Sequence, residues 1–255
     1  MRKTLALLTI LLSCIYTQAQ NANPKGPLAP TTFSHWSLSL EAGPVFPVGA
    51  FHHNDPYSTT SNAGNARTGV GADLSATYRF APSFGLTILG GIAEAPEHNE
   101  LLTLLTPGWP VTLMVQNKHW KMARFLVGPT FEQPFTRKGR LSLQIRALAG
   151  LLKTRVPDFT EYAGTQPTDA GAVNYLNGPL PWAFAYQADA GLKWKLTRYA
   201  EVIVNAGYMG SRHTASYSQE LMKQSGGGAY EPTQQVSQSI DIGMIQFHAG
   251  VEVSL

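Results

Sequence analysis

One pattern constrains this chain more than any other: apolar and polar residues alternate with period two along eight long segments. Consecutive side chains of a strand point to opposite faces, so such spacing predicts strands with one apolar and one polar face. The sixth segment is the clearest. Trp182, Phe184, Tyr186, Ala188, Ala190, Leu192, Trp194 and Leu196 alternate with Gln187, Asp189, Lys193 and Lys195. In the first, over 35–49, Trp36, Leu38, Leu40 and Ala42 oppose Ser37, Ser39 and Glu41. The second, over 68–80, sets Val70, Ala72, Leu74, Ala76, Tyr78 and Phe80 against Asp73, Ser75, Thr77 and Arg79.

The remaining segments follow the same rule. The third, over 83–95, is richer in Gly, and the fourth, over 117–134, is the least regular, with Lys118, Lys121 and Arg124 near its start. The fifth, over 139–155, carries Gln144 and Arg146 on its polar face. In the seventh, over 199–211, Ala200, Val202, Val204, Ala206 and Tyr208 oppose Glu201, Asn205 and Met209. The eighth ends the chain, with Ile245, Phe247, Ala249, Val251, Val253 and Leu255 opposite Gln246, His248, Glu252 and Ser254. The connections alternate between tight turns, near 81–83, 135–139 and 197–199, and long segments near 50–67, 96–116, 156–181 and 212–236. Short turns on one side and long loops on the other describe an up-and-down barrel, and an even strand number returns both ends to the short-turn side.

Periodicity alone leaves open which face is inside. A soluble barrel keeps apolar residues inside, whereas a membrane barrel turns them outward. These segments run to ten residues or more, the length a tilted strand needs to cross a hydrocarbon layer. Aromatic residues such as Trp36, Phe80, Trp182, Trp194, Tyr199 and Phe247 lie near segment ends or on the terminal strand, as interfacial girdles require. The expected fold is therefore an all-β, eight-stranded antiparallel up-and-down transmembrane barrel over residues 35–255. Its inward faces would carry Glu41, Asp73, Arg79, Glu132, Arg146, Asp189, Lys193, Glu201 and Glu252. Eight strands enclose only a narrow space, so these charges should be paired in a packed polar interior.

The N-terminus reads MRKTLALLTILLSCIYTQAQ, with Arg2 and Lys3 before an apolar stretch and small residues at Thr17 and Ala19. This is the layout of a signal peptide over residues 1–19, cleaved after Ala19 and followed by a short extended leader over 20–34. Leu11-Leu12-Ser13-Cys14 offers an alternative, since it resembles a bacterial lipobox in which Cys14 is acylated. Cys14 is the chain's single cysteine, which excludes an intramolecular disulfide and a multi-cysteine zinc site. Loss of Arg2 and Lys3 takes 19 basic residues to 17 against 16 acidic ones, so no basic field for nucleic acid remains.

With its signal ending, eight amphipathic segments and terminal FHAGVEVSL, the chain resembles the small outer-membrane β-barrel proteins of Bacteroidota. These are related in architecture to OmpA/OmpX-type barrels and are often labelled porin-family. The resemblance implies the cell outer membrane as location, with outer-membrane lipid and the barrel-assembly machinery as partners. It departs from the family pattern in ending on Leu255 rather than an aromatic residue, and no peptidoglycan-binding segment follows the eighth strand.

Three functions are open at this point. The first is a non-enzymatic structural or surface-interaction barrel, its long loops meeting an extracellular ligand through residues such as Tyr57, Tyr162, Tyr175 and Tyr230. Gly226-Gly227-Gly228 argues against a rigid surface in the last loop. The second is a narrow passive channel for water, ions or small solutes, with Gly85, Gly91, Gly191 and Gly250 giving room inside or relieving crowding around Arg79, Arg146 and Lys193. The third is a lipid-modifying enzyme, for which Ser211, His213, Ser216 and Glu220 are the nearest serine-histidine-carboxylate group. His52-His53 with Asp55 suggests a metal pair, but adjacent strand residues face opposite sides. No nucleotide, metal or calcium motif is present. The expected function is the first, with no catalytic, cofactor-binding or metal-binding residue and no cofactor.

Overall fold

The computed structural model describes residues 35–53, 64, 66–96, 103–106, 109–112, 119–135, 140–155, 159–163, 171–176, 181–197, 199–221 and 234–255. Backbone alone is described for 103–106, 109–112, 159–163, 171–176, 215–221 and 234–238. The signal and leader segments, Asp55, Tyr57, Gly226-Gly227-Gly228 and Tyr230 lie outside the described residues.

Eight long strands carry the fold: β1 (Trp36–Pro47), β2 (Gly69–Ala81), β3 (Phe84–Pro96), β4 (His119–Pro134), β5 (Leu141–Arg155), β6 (Ala183–Lys195), β7 (Ala200–Leu221) and β8 (Gln234–Ser254). They pair antiparallel in the order β6-β5-β4-β3-β2-β1-β8-β7, and β6 also pairs with β7. That last pairing runs from Ala185 opposite Ser211 to Lys195 opposite Glu201 and closes the sheet on itself. A closed antiparallel sheet leaves no open edge, which is the condition for strands to cross a membrane. Among the described residues no helix is long and apolar enough to do so.

The faces fall as the alternation predicts, and the barrel is inside-out relative to a soluble one. Leu40, Leu74, Ile92, Phe125, Val204 and Val251 are exposed on the outer wall, while Glu41, Asp73, Arg146, Asp189, Lys193 and Glu252 are buried within. Trp36, Phe80, Trp194 and Tyr199 surround the end bearing the short turns, and Phe46, Trp182, Phe184 and Tyr186 lie toward the other. Apolar residues outside and charges inside are what a lipid solvent demands.

Two expectations change. The alternation of the seventh segment stops near 211, yet β7 continues to Leu221, paired with β8 as far as Gln219 opposite Gln234. Over RHTASYSQEL the apolar alternation is lost, because a hairpin standing clear of lipid has no face to keep apolar. The long connections also contain short strands, Thr103–Thr106, Trp109–Thr112, Phe159–Ala163 and Gly171–Leu176. These pair in series with one another, and the last joins β7 at Val173 opposite Leu221. Tyr162 and Tyr175 belong to these short strands rather than to irregular loops.

Candidate functional site

The barrel interior is the place where this chain concentrates its chemistry. Nearest the short turns, two cations and two carboxylates form a closed square. Arg79 Nη2 donates to Glu132 Oε2 at 2.9 Å and to Glu252 Oε1 at 2.8 Å, and Lys193 Nζ stands 2.8 Å from both carboxylates. Each carboxylate thus faces two cations, which offsets the cost of taking all four from water. Glu201 is buried in the same region, in register opposite Glu252, and no ion pair to it is seen among the described residues.

A second network lies across the middle. Arg146 grips Glu41 through both terminal nitrogens, at 2.9 and 3.3 Å, and its Nε reaches Asp189 Oδ2 at 3.2 Å. The Asn205 amide donates to Glu41 at 2.5 Å, and the Gln187 amide donates to both oxygens of Asp189. Ser39, Ser75, Thr77, Thr87 and Thr130 fill the neighbouring wall with hydroxyl pairs. Buried hydroxyls satisfied by one another avoid the penalty of unpaired polar groups.

The third network centres on Arg124. Its Nη2 lies 2.6 and 2.7 Å from the two oxygens of Asp73, its Nε lies 3.1 Å from Oδ1, and Nη2 also reaches Gln246 at 2.6 Å. His248 Nδ1 stands 3.0 Å from Asp73 Oδ2, and Met209 Sδ lies 3.5 Å from Arg124 Nη1. In the sequence Arg124 stands among the cations at the start of the fourth segment. Its face was nonetheless legible, since Arg124 shares parity with Leu126, Thr130 and Glu132, all directed inward.

The wholly polar interior expected from the sequence is corrected toward the long connections, where the filling is apolar. Val45, Met122, Leu152, Met209, Ile242 and Met244 belong to one buried cluster. Over it, a short 3-10 turn, Gly49–Phe51, directs Phe51 inward. Gly49 has φ of 62°, a left-handed conformation that glycine adopts without a steric penalty. The Phe51 ring meets Trp120 edge-on at 5.2 Å, and Trp120 Nε1 donates to the Gly64 carbonyl at 2.9 Å. The first long connection is thereby fastened across the barrel mouth.

The small inward positions lie in close contact with their neighbours. A Cβ at Gly91 would strike the Asp73 carboxylate and Arg124, and one at Gly191 would strike the Asn205 amide. The side-chain crowding relieved at Gly91 and Gly191 is thus around Arg124, Asp73 and Asn205. At Gly85 and Gly250 a Cβ would meet the backbone of Tyr78 and Leu40 respectively.

Of the serine-histidine group, the two described side chains, Ser211 and His213, each bond elsewhere. Ser211 Oγ donates to the Phe184 carbonyl at 2.8 Å, while His213 Nε2 lies 3.3 Å from Thr154 Oγ1. Ser216 and Glu220 fall on the extension of β7, where backbone alone is described. His52 and His53 follow the 3-10 turn instead of occupying a strand, both exposed, and His52 Nδ1 lies 3.1 Å from the Ala66 carbonyl oxygen. Among the described residues no three His, Cys, Asp or Glu side chains are grouped to hold a metal.

No protein-family model matches the sequence. No curated protein matches it either. Among solved structures, Neisserial surface protein A is similar at 10% identity and a TM-score of 0.43, over 87% of this chain and 98% of that one. The outer membrane protein OprG from Pseudomonas aeruginosa is similar at 13% identity and a TM-score of 0.47, over 87% and 95%. Ail, the attachment invasion locus protein of Yersinia pestis, is similar at 14% identity and a TM-score of 0.36, over 87% and 99%. The closed strand order and the reversed polarity of its walls define the architecture independently of these likenesses. The chain is an eight-stranded antiparallel β-barrel of the outer-membrane type, in contact with lipid around its circumference and filled by its own side chains.

Proposed function

We propose that the protein is a non-enzymatic outer-membrane barrel with a structural or surface-interaction role, acting through its lipid-facing wall and long connections while its lumen stays sealed. The observation that carries this reading is the filling of the lumen. Three polar networks and one apolar cluster lie one after another along the barrel, and the Phe51–Trp120 contact lies over the last. Apart from Glu201, each buried charge of the first three is held by partners from other strands, so opening a path would strand charges at a cost of several kcal/mol each.

Export through the segment 1–19, insertion by the barrel-assembly machinery through the terminal FHAGVEVSL strand, and an extracellular ligand on the long connections complete the proposal. The absence of an assembled nucleophile and base among the described residues favours it over a lipid-modifying enzyme. The channel reading would need the space beside Gly91 and Gly191, which Asp73, Arg124 and Asn205 already take.

Two measurements test it. Purified full-length protein in planar bilayers should give the current of an empty bilayer, and a steady ion current above that baseline would establish the channel instead. Extraction from membranes should require detergent. Recovery in detergent-free buffer would overturn the membrane placement itself.

A further inference from the structure

β7 leaves the closed barrel before it ends. Its ladder with β6 stops at Ala185 opposite Ser211, while its ladder with β8 continues to Gln219 opposite Gln234. His213 is the first inward side chain beyond that point, in register with Ile240 on β8. The ring is wholly buried, and its Nε2 lies 3.3 Å from Thr154 Oγ1 on β5. Thr154 is itself buried, opposite Met122 on β4. The imidazole thus reaches past the start of β6 and ties the hairpin to β5, among the apolar side chains that fill the mouth. The hairpin's other fastening among the described residues is the backbone pairing of Ser218–Leu221 with Val173–Leu176, which does not titrate.

A charged histidine in such a place needs a carboxylate, and among the described residues none faces this one. The ionisable side chains of the surrounding elements project to the outer face. They are His119 and Lys121 on β4, Lys153 and Arg155 on β5, Arg212 on β7 and Asp241 on β8. His119 pairs with Glu94, and Asp241 pairs with Arg212 at 2.7 Å. His52 and His53, in the first long connection, are exposed. The next inward charge down β4 is Arg124, already held by Asp73. What meets the His213 ring is neutral: the Thr154 hydroxyl and the Pro181 carbonyl.

Burial pushes this imidazole below its ordinary value of about 6.5, and the Pro181 carbonyl, which favours a ring proton, draws it back only in part. A ring buried neutral adds stability above that ordinary value. It loses the contribution as the pH falls below, since the exposed ring takes up a proton more readily than the buried one. The contact at stake is the one between the hairpin and β5.

We propose that His213 is an acid-released latch on the outer hairpin. Neutral, it holds the extension of β7 and β8 against β5. Charged, it leaves the apolar mouth and loosens the extension, which changes the surface presented to the medium while the three polar networks below keep the lumen closed. The latch rests on the outward placement of the long connections and not on the sealed lumen.

Amide hydrogen exchange of the full-length barrel in phospholipid nanodiscs tests it, at about pH 7.5 and about pH 5, with intrinsic rates corrected for. Protection over 212–216 and 237–241 should fall at least tenfold in acid, while 200–209 should keep its protection. His213→Phe preserves a buried ring without the titration, and its hairpin should remain protected at both pH values. The controls His52→Gln, His53→Gln, His119→Gln and Asp241→Asn should each leave the acid response intact. An acid-induced loss in His213→Phe equal to that of wild type would overturn the proposal, and so would unchanged protection in wild type. If His213→Phe fails to fold, judged by heat-modifiable gel migration, an NMR titration of the wild-type histidines decides. A His213 midpoint below about 6.5 supports the latch, and one at or above it overturns the latch. A current in planar bilayers at acid pH, present in wild type and absent from His213→Phe, would overturn the sealed lumen and leave the latch standing.

Discussion

At the residue scale, Arg124 is the side chain on which most depends. It reaches from β4 to Asp73 on β2, to Met209 on β7 and to Gln246 on β8, so one guanidinium ties four strands together. Arg124→Ala leaves the Asp73 carboxylate buried beside His248 alone, and should lower unfolding stability by about 3–5 kcal/mol. Replacing both partners, Asp73→Asn with Arg124→Met, should recover a large part of that loss, as measured by urea unfolding of the refolded barrel. The adjacent glycines give a sharper contrast. Gly90 faces outward with nothing near the place of a Cβ, whereas Gly91 faces inward against Asp73 and Arg124. Gly91→Ala should therefore destabilise by about 1–3 kcal/mol, as overpacked cores do, and Gly90→Ala should stay within about 0.5 kcal/mol of wild type. Equal effects at the two positions would contradict the inward placement of Gly91. The sequence makes this distinction by parity alone, but it does not show that Arg124 is the neighbour which makes Gly91 necessary.

At the element scale, the strand faces were legible because lipid imposes a two-residue rule wherever a strand crosses it. Every charge expected inward on β1, β2, β4, β5, β6, β7 and β8 is found there, including Glu41, Asp73, Arg146, Lys193 and Glu252. The rule fails where its cause is absent. Beyond Ser211 β7 runs on past the length that crosses hydrocarbon, so its sequence keeps no two-residue rule and looks like a loop. Around Met122, Leu126 and Leu152 the rule is reversed in part: apolar side chains point inward while Lys121 and Lys153 point outward, so polarity no longer tells the two faces apart. The same reasoning makes depth measurable along β4. Val127 lies near the middle of the outward apolar run, and Val127→Arg should cost about 2–4 kcal/mol in folding from denaturant into phospholipid vesicles. Lys121→Leu, at the boundary, should change stability by no more than about 1 kcal/mol. A large cost at Lys121 and none at Val127 would mean that the membrane lies at a different height on the barrel.

For the whole molecule, closure and filling are two consequences of one constraint. Eight strands joined through the β6–β7 pairing satisfy every neighbouring backbone ladder, and the resulting narrow cylinder must then be filled. This chain fills it in series: the Arg79–Lys193 square, the Arg146 network, the Arg124 network and the apolar cluster under Phe51. Seals in series behave differently from a single gate, because removing one leaves the path blocked at the others. Arg79→Ala, Arg146→Ala and Phe51→Ala should each reduce stability, the last by about 3–5 kcal/mol as a large buried ring is lost. None of the three should raise conductance above that of an empty bilayer. The Phe51 variant should differ from the other two in one respect: it loosens the first long connection and should speed proteolysis at Arg67, which that connection holds against Pro96 through a 2.8 Å backbone bond. A steady current from any single variant would place the whole seal in that one layer. It would also mean that the remaining networks serve folding rather than closure, a division that no reading of charge and parity along the sequence would reveal.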